Sequence, residues 1–108
     1  MKIDKTLQLP CGVEIKNRFL KSAMTEGIAN SDALANKRHV KLYERWAKGG
    51  TGISITGNVQ IDHRYIERAG NVVIEGTQTN ESLAALANWS QAGTVSYTHL
   101  TLPTIYSV

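Results

Sequence analysis

The sequence has one cysteine, two prolines and no long apolar run, and each scarcity removes a class of protein. A single cysteine, Cys11, cannot form an internal disulfide, which fits a reducing compartment. No apolar stretch approaches the ~20 residues that cross a bilayer. The N-terminal MKIDKTLQLP is too polar for a signal peptide. We therefore expect a cytoplasmic protein with no membrane partner.

The composition indicates one globular domain with a small excess of positive charge. The 108 residues are 42% hydrophobic and 19% charged, with a net charge of +3. The densest cations interleave with apolar residues at helical spacing, which favours a solvated helix face. The alternative is a small basic binding module for nucleic acid or another anion. The cations concerned are Lys37, Arg38, Lys41, Arg45 and Lys48.

The first third of the chain predicts a β-hairpin, a strand and a loop. Within residues 7–17, Pro10 and Gly12 separate two short alternating stretches, which is a hairpin signal. Residues 18–24, RFLKSAM, follow as a strand. Residues 25–36 are small and polar, as in a loop.

A helix and a second strand come next. Residues 37–50 repeat apolar positions at helical spacing, with Asn36 as the N-cap and Gly49 as the left-handed residue that ends the helix. Residues 51–61 are β-branched and predict a strand that is broken at Gly57.

A second helix completes the pattern after a polar loop and a short extended segment at 71–76. We expect this helix to begin after Asn80, its N-cap, and to stop at Gly93. Its buried face is predicted to hold Leu83, Leu86, Ala87 and Ser90. A strand, a helix and another strand form a parallel βαβ unit, and a parallel sheet needs cover on both faces. The sequence therefore predicts the opening part of a larger α/β protein.

Residues 95–108 form a tail that differs from the rest of the chain. The tail contains no Asp, Glu, Lys or Arg, although the preceding residues contain many. It resembles translated read-through of a sequencing adapter, and we predict that it is not native. The alternative is a threonine-rich edge strand, because Pro103 argues against a central one. We therefore divide the chain into a domain at 1–94 and this tail.

Several familiar site motifs are missing. Neither GxxxxGK[ST] nor GxSxG occurs. The GGTG run at 49–52 leaves a helix instead of entering one, so it presents no helix N-terminus to a phosphate. His39, His63 and His99 share no metal-ligand spacing with one another or with Cys11. We predict no metal site, and we expect His39 to be half exposed.

The remaining candidates lie at the two strand ends, SAMTEG and ITGNV. In parallel α/β proteins, ligands gather at the carboxyl ends of the strands. Gly57 permits a close contact or an unusual dihedral angle, and Thr25 and Asn58 offer hydrogen-bond donors. From the residues alone, a ligand site and ordinary strand-to-loop packing explain the pattern equally well.

The same stretches resemble the N-terminal part of the Old Yellow Enzyme family, the NADH:flavin oxidoreductases. LPCGVEIKNRFLKSAMTEG, YERWAKGGTGISITGNVQID and a helix ending in QAG follow the family's order and spacing over about residues 5–94. The resemblance implies a (β/α)8 TIM barrel, of which this chain holds the hairpin and two strand–helix units before a truncation. It also implies hydride transfer from NADH or NADPH through FMN to a small-molecule acceptor, often an activated alkene.

By this resemblance, five positions bind the cofactor. Ala23, Met24 and Thr25 match the first-strand segment along the flavin ring, and Gly57 and Asn58 match the second-strand end. Thr25 matches a position whose side chain hydrogen-bonds a flavin carbonyl. Ala23 stands where many members have proline, and Asn58 where many have alanine or glycine.

The family's other functional residues have no counterpart in this sequence. These are a third-strand glutamine, a later histidine pair, and basic and backbone groups that hold the FMN phosphate. We therefore assign no catalytic residue, and we expect the chain alone to bind FMN weakly or not at all and to be inactive. The acceptor, the choice between NADH and NADPH and the oligomeric state depend on residues outside this sequence.

Overall fold

The computed structural model describes residues 2–76, 79–95 and 98–101. Its elements alternate between short strands and two helices. In chain order they are β1 (Leu7–Gln8), β2 (Glu14–Ile15), β3 (Leu20–Lys21), α1 (Lys37–Lys48), β4 (Ile53–Ile55), β5 (Val59–Gln60), β6 (Val72–Val73), α2 (Asn80–Gly93) and β7 (His99–Thr101).

The hairpin predicted near the N-terminus is present. Strands β1 and β2 pair antiparallel, with Leu7 opposite Ile15. Gly12 adopts a left-handed φ of 95° in the turn, a conformation that glycine reaches without steric cost.

The main sheet is parallel, with strand order β3-β4-β7. Helix α1 connects β3 to β4, and α2 lies in the connection from β4 to β7. The predicted βαβ unit is therefore confirmed. A second, two-stranded parallel sheet joins β5 to β6. The result is an α/β fold with an open sheet that forms only part of a barrel.

The two faces of this sheet are covered unequally. Lys21 lies opposite Ser54 on β4, and its ammonium nitrogen lies over the ring of Tyr43 on α1, so this face packs against the helices. Side chains alternate along a strand, so Leu20 and its partner Ile53 lie on the other face. Leu20 is 52% exposed and Ile53 is half-buried, so the described part of the chain covers that face only in part.

Helix α1 begins at the predicted residue, but the left-handed glycine after its end lies one residue later than predicted. The Asn36 side chain accepts a hydrogen bond from the Arg38 N–H at 2.8 Å, and His39 completes a capping box. The prediction that Gly49 is left-handed is wrong, because its φ is −72°. Gly50 takes that role with a φ of 107°, since Gly49, the C-cap of α1, keeps a right-handed helical conformation.

Two predictions for α2 are also wrong. The N-cap is Thr79, whose side chain accepts from the Ser82 N–H at 3.0 Å, so Asn80 is already helical. The predicted buried face is rotated, since Leu83 is 51% exposed while Trp89 is buried. The reason is the packing of α2 against α1 and β7. The buried residues of α2 are Ser82, Trp89, Ala92 and Gly93.

An aromatic cluster joins the two helices. The Tyr43 ring meets Trp46 at a centroid distance of 5.1 Å and Trp89 at 5.4 Å, both edge to face. His39 packs on Trp89 at 5.0 Å and is completely buried. The expectation of a half-exposed His39 is therefore wrong, because His39 shares the inward helix face with Tyr43 at a spacing of four residues.

Part of the tail lies within the described residues. His99–Thr101 forms β7, with Leu100 beside Ser54, and the Thr98 hydroxyl donates to the Thr51 carbonyl at 2.7 Å. The argument from Pro103 concerns a residue outside the described ranges. The division at residue 94 and the non-native origin of the tail stay predictions.

Candidate functional site

The two strand ends named in the sequence lie side by side. A Cβ built on Gly57 would come closer than 3.0 Å to the Met24 carbonyl oxygen and to the Glu26 carboxylate. Gly57 is not among the residues with positive φ in the described chain. Of the two roles considered for Gly57, the structure therefore supports close approach and not an unusual dihedral angle.

The five candidate cofactor positions differ in their exposure. Ala23, Met24 and Thr25 are exposed, Met24 at 49%, whereas Gly57 is buried and Asn58 is half-buried. Three neighbouring exposed residues beside a buried glycine form an edge against which a flat ring could lie. The residues present therefore fit one side of a flavin ring, although their assignment to the cofactor stays a prediction.

Glu26 connects these strand ends to helix α1. Its carboxylate accepts hydrogen bonds from the Tyr43 hydroxyl and, at 2.8 Å, from the Gly57 N–H. The Tyr43 hydroxyl oxygen also lies 3.1 Å from the Gly57 nitrogen. Sequence reasoning missed Glu26 because it falls in an apparent loop. The available signal was Tyr43 itself, since a buried tyrosine hydroxyl needs a partner.

The surroundings of Tyr43 keep its phenol protonated, so that its hydroxyl can donate a hydrogen bond. Burial raises the pKa of Tyr43 far above its ordinary value, and the hydrogen bond to Glu26 adds to this effect. On the same side of the sheet, the Lys21 ammonium nitrogen lies 4.6 Å from the Trp46 ring centroid. Burial lowers the pKa of Lys21, and the Glu26 carboxylate opposes the shift.

His39 is a structural residue at the base of this region. Its Nδ1 accepts from the Asn36 N–H at 3.2 Å, so the neutral ring carries its proton on Nε2. Burial lowers the pKa of His39, the Glu26 charge opposes this and the Arg38 charge reinforces it. His39 faces the core, where it caps α1 and packs against Trp89.

A second polar cluster, Asp62, His63 and Glu75, lies in the loops beyond β5 and β6. One ligand-type atom from each lies within 4.8 Å of the others, a proximity that the sequence spacing did not indicate. His63 Nδ1 pairs with Glu75 at 2.9 Å, and Arg64 pairs with Asp62 at 2.7 Å. The hydrogen bonds from Arg64 lower the pKa of Asp62 to about 2. We interpret the cluster as a surface ion pair between Arg64 and Asp62 beside a hydrogen bond between His63 and Glu75.

The basic residues of α1 are all exposed. Lys48 pairs with Glu44 one turn earlier at 2.8 Å, and Arg38 donates to the Ile28 carbonyl at 3.0 Å. These contacts are those of a solvated helix face, and no contact among the described residues favours the basic binding module. Within the same residues, neither helix has the length and apolar character needed to cross a membrane.

Comparison with known proteins identifies flavin oxidoreductases. No protein-family model matches the chain. The NADH-dependent flavin oxidoreductase iliE of Hypocrea jecorina (strain QM6a) is 37% identical over 99 residues, which is 92% of this chain and 24% of that protein. The cinnamate reductase of Clostridium sporogenes is 40% identical over 52 residues, which is 47% of this chain and 8% of that protein.

The solved structures show the same relationship at the level of the fold. The Old Yellow Enzyme from Pichia sp. AKU4542 superposes with a TM-score of 0.79 at 18% identity, over 94% of this chain and 25% of that one. The resemblance to the Old Yellow Enzyme family is therefore confirmed over a limited segment. The chain spans about a quarter of the length of the iliE oxidoreductase, and its α/β fold corresponds to part of the Old Yellow Enzyme barrel.

Proposed function

We propose that this chain is the N-terminal part of an FMN-dependent oxidoreductase barrel of the Old Yellow Enzyme type. The single observation behind the proposal is the packing of Gly57 against the Met24 carbonyl. This contact sets the ends of two parallel strands side by side, under an exposed edge formed by residues 23–25. Ligands of α/β barrels occupy this end of the strands.

Each residue at the edge has a definite task in the proposed site. Ala23 and Met24 lie along the ring and exclude water from one side of it. The Thr25 hydroxyl donates a hydrogen bond to a flavin carbonyl, and Gly57 and Asn58 border the pyrimidine side. When bound, the flavin supplies hydride transfer, while the protein orients the ring and tunes its electronics.

The relatives support a proposal for the reductant and the acceptor. Because the iliE oxidoreductase is NADH-dependent and matches nearly the whole chain, we propose NAD(P)H as the reductant, with NADH favoured. A second relative is a cinnamate reductase, and cinnamate is an alkene conjugated to a carboxylate. We therefore propose a small activated alkene as the acceptor.

The 108-residue chain alone is expected to hold FMN poorly. A ring edge supplied by two strand ends leaves the opposite side of the ring without cover, and we assign no phosphate-binding group among the described residues. Titration of the purified chain with FMN, followed by flavin fluorescence, should show weak or no binding and no NADH oxidation. Tight binding of one FMN per chain would contradict this expectation.

The family-level function is tested with the complete gene. The genomic DNA beyond the codon for Thr94 should continue into an open frame with a glutamine-bearing third strand. The complete product should purify yellow, release FMN and not FAD on heating, and oxidise NADH when an activated alkene is added. A colourless product, or one that releases no flavin, would refute the proposed function.

A further inference from the structure

We propose that Glu26 is a positioning residue that holds the two strand ends of the candidate flavin site in register. Its carboxylate bonds two partners at once, the Gly57 N–H on the second strand end and the Tyr43 hydroxyl on α1. Glu26 itself follows Thr25 directly. One side chain therefore ties the first strand end, the second strand end and the intervening helix together.

The two hydrogen-bond partners of Glu26 restrain where its carboxylate lies. Tyr43 is completely buried and packs between Trp46 and Trp89, so its hydroxyl has a fixed place. A carboxylate that accepts from a fixed hydroxyl and from a backbone N–H is restrained in both position and rotation, and such charge-assisted bonds are stronger than neutral ones. The Gly57 backbone is thereby held against the Met24 carbonyl.

The same arrangement decides which groups remain for a ligand. The Gly57 N–H points to Glu26 and is not free to donate to a ring above the edge. Among the side chains of the five candidate positions, the donors are the Thr25 hydroxyl and the Asn58 amide. This consequence rests on the proposed function, whereas the positioning role of Glu26 concerns the protein alone.

The alternative is that Glu26 contributes only general stability. A purely structural role predicts that removing its charge lowers the protection of all core amides by the same factor. A positioning role predicts a local change, because the Gly57 amide loses its charged acceptor while the amides of the aromatic cluster keep theirs. Amide hydrogen exchange, read residue by residue by NMR, separates the two.

The test compares Glu26→Gln with Glu44→Gln in the 108-residue chain. Glu44 is the matched control, since it pairs with Lys48 at the surface of α1. We expect Glu26→Gln to reduce the protection of the Gly57 amide about fivefold to tenfold relative to the amide of Trp46, which lies inside α1, because a neutral acceptor replaces a charged one. Glu44→Gln should leave that ratio unchanged. Equal loss at both amides, or no loss at Gly57, would overturn the proposal.

A second measurement covers the case in which Glu26→Gln does not fold. The same exchange measurement is made on Glu26→Asp, which keeps the negative charge but shortens the side chain by one methylene, so that the carboxylate no longer reaches both the Gly57 N–H and the Tyr43 hydroxyl. A loss of protection at the Gly57 amide relative to the Trp46 amide supports the proposal, and an unchanged ratio refutes it. Neither measurement needs a flavin. The exchange data can therefore contradict the positioning role while the FMN assay of the complete enzyme supports the proposed function, and the exchange data can support the positioning role while the FMN assay fails.

Discussion

Replacing Gly57 with alanine probes the contact on which the candidate site depends. The added Cβ would come closer than 3.0 Å to the Met24 carbonyl oxygen and to the Glu26 carboxylate. Glu26 can rotate away, but the carbonyl belongs to the backbone, so the two strand ends must separate. Overpacking of this kind costs about 1–3 kcal/mol, and the reduced freedom of the unfolded chain returns about 0.4–1 kcal/mol.

The net loss from this substitution is measurable by urea unfolding. With an m value of about 1.5 kcal/mol/M, a net loss of about 1.5 kcal/mol lowers the midpoint by about 1 M. Gly76→Ala is the matched control, because a Cβ there meets nothing within 4 Å and φ is not positive. Its midpoint should stay the same or rise slightly. Equal midpoints for both variants would refute the close packing of Gly57 against Met24.

Three further substitutions address α1 and its ends. Burial lowers the pKa of His39 below 6.5, so the unfolded chain binds the proton more readily and stability should fall as the pH drops from 6.5. His39→Gln should remove this part of the pH dependence in urea titrations, whereas His99→Gln, at an exposed site, should not. Asn36→Ala should cost about 1 kcal/mol through loss of the helix cap, and Asn36→Asp, which keeps the acceptor, should cost less in the same assay. Gly50→Ala should cost about 1–3 kcal/mol because of its positive φ, and thermal melts should show a smaller effect for Gly49→Ala; the opposite order would contradict the assigned end of α1.

The sequence predicted the fold well where the signals are local. The hairpin turn at Gly12, the N-cap at Asn36 and the strand break at Gly57 depend on neighbouring residues, and all three are present. The two errors at helix ends, at Gly50 and Thr79, lie one residue from the predicted positions, because the apolar pattern of a helix does not fix its terminal residue.

The remaining features depend on contacts between distant segments. The buried face of α2 turns toward Trp89 instead of Leu83 because α1 and β7 supply the partners, and periodicity alone does not choose between apolar stripes on one helix. Glu26 bonds Gly57 across 31 residues, and His39 is buried through its contact with Trp89. Polar residues whose partners lie far along the chain are the hardest to place from sequence.

The aromatic cluster of α1 and α2 also gives the chain intrinsic fluorescence and circular dichroism signals that depend on its fold. Both tryptophans of the sequence, Trp46 and Trp89, flank Tyr43 within 5.4 Å. Light absorbed by Tyr43 should pass to the tryptophans, and the edge-to-face rings should couple in near-ultraviolet circular dichroism. Trp89, at 3% exposure, should emit at short wavelength. A change in these signals therefore reports separation of the two helices without any attached label.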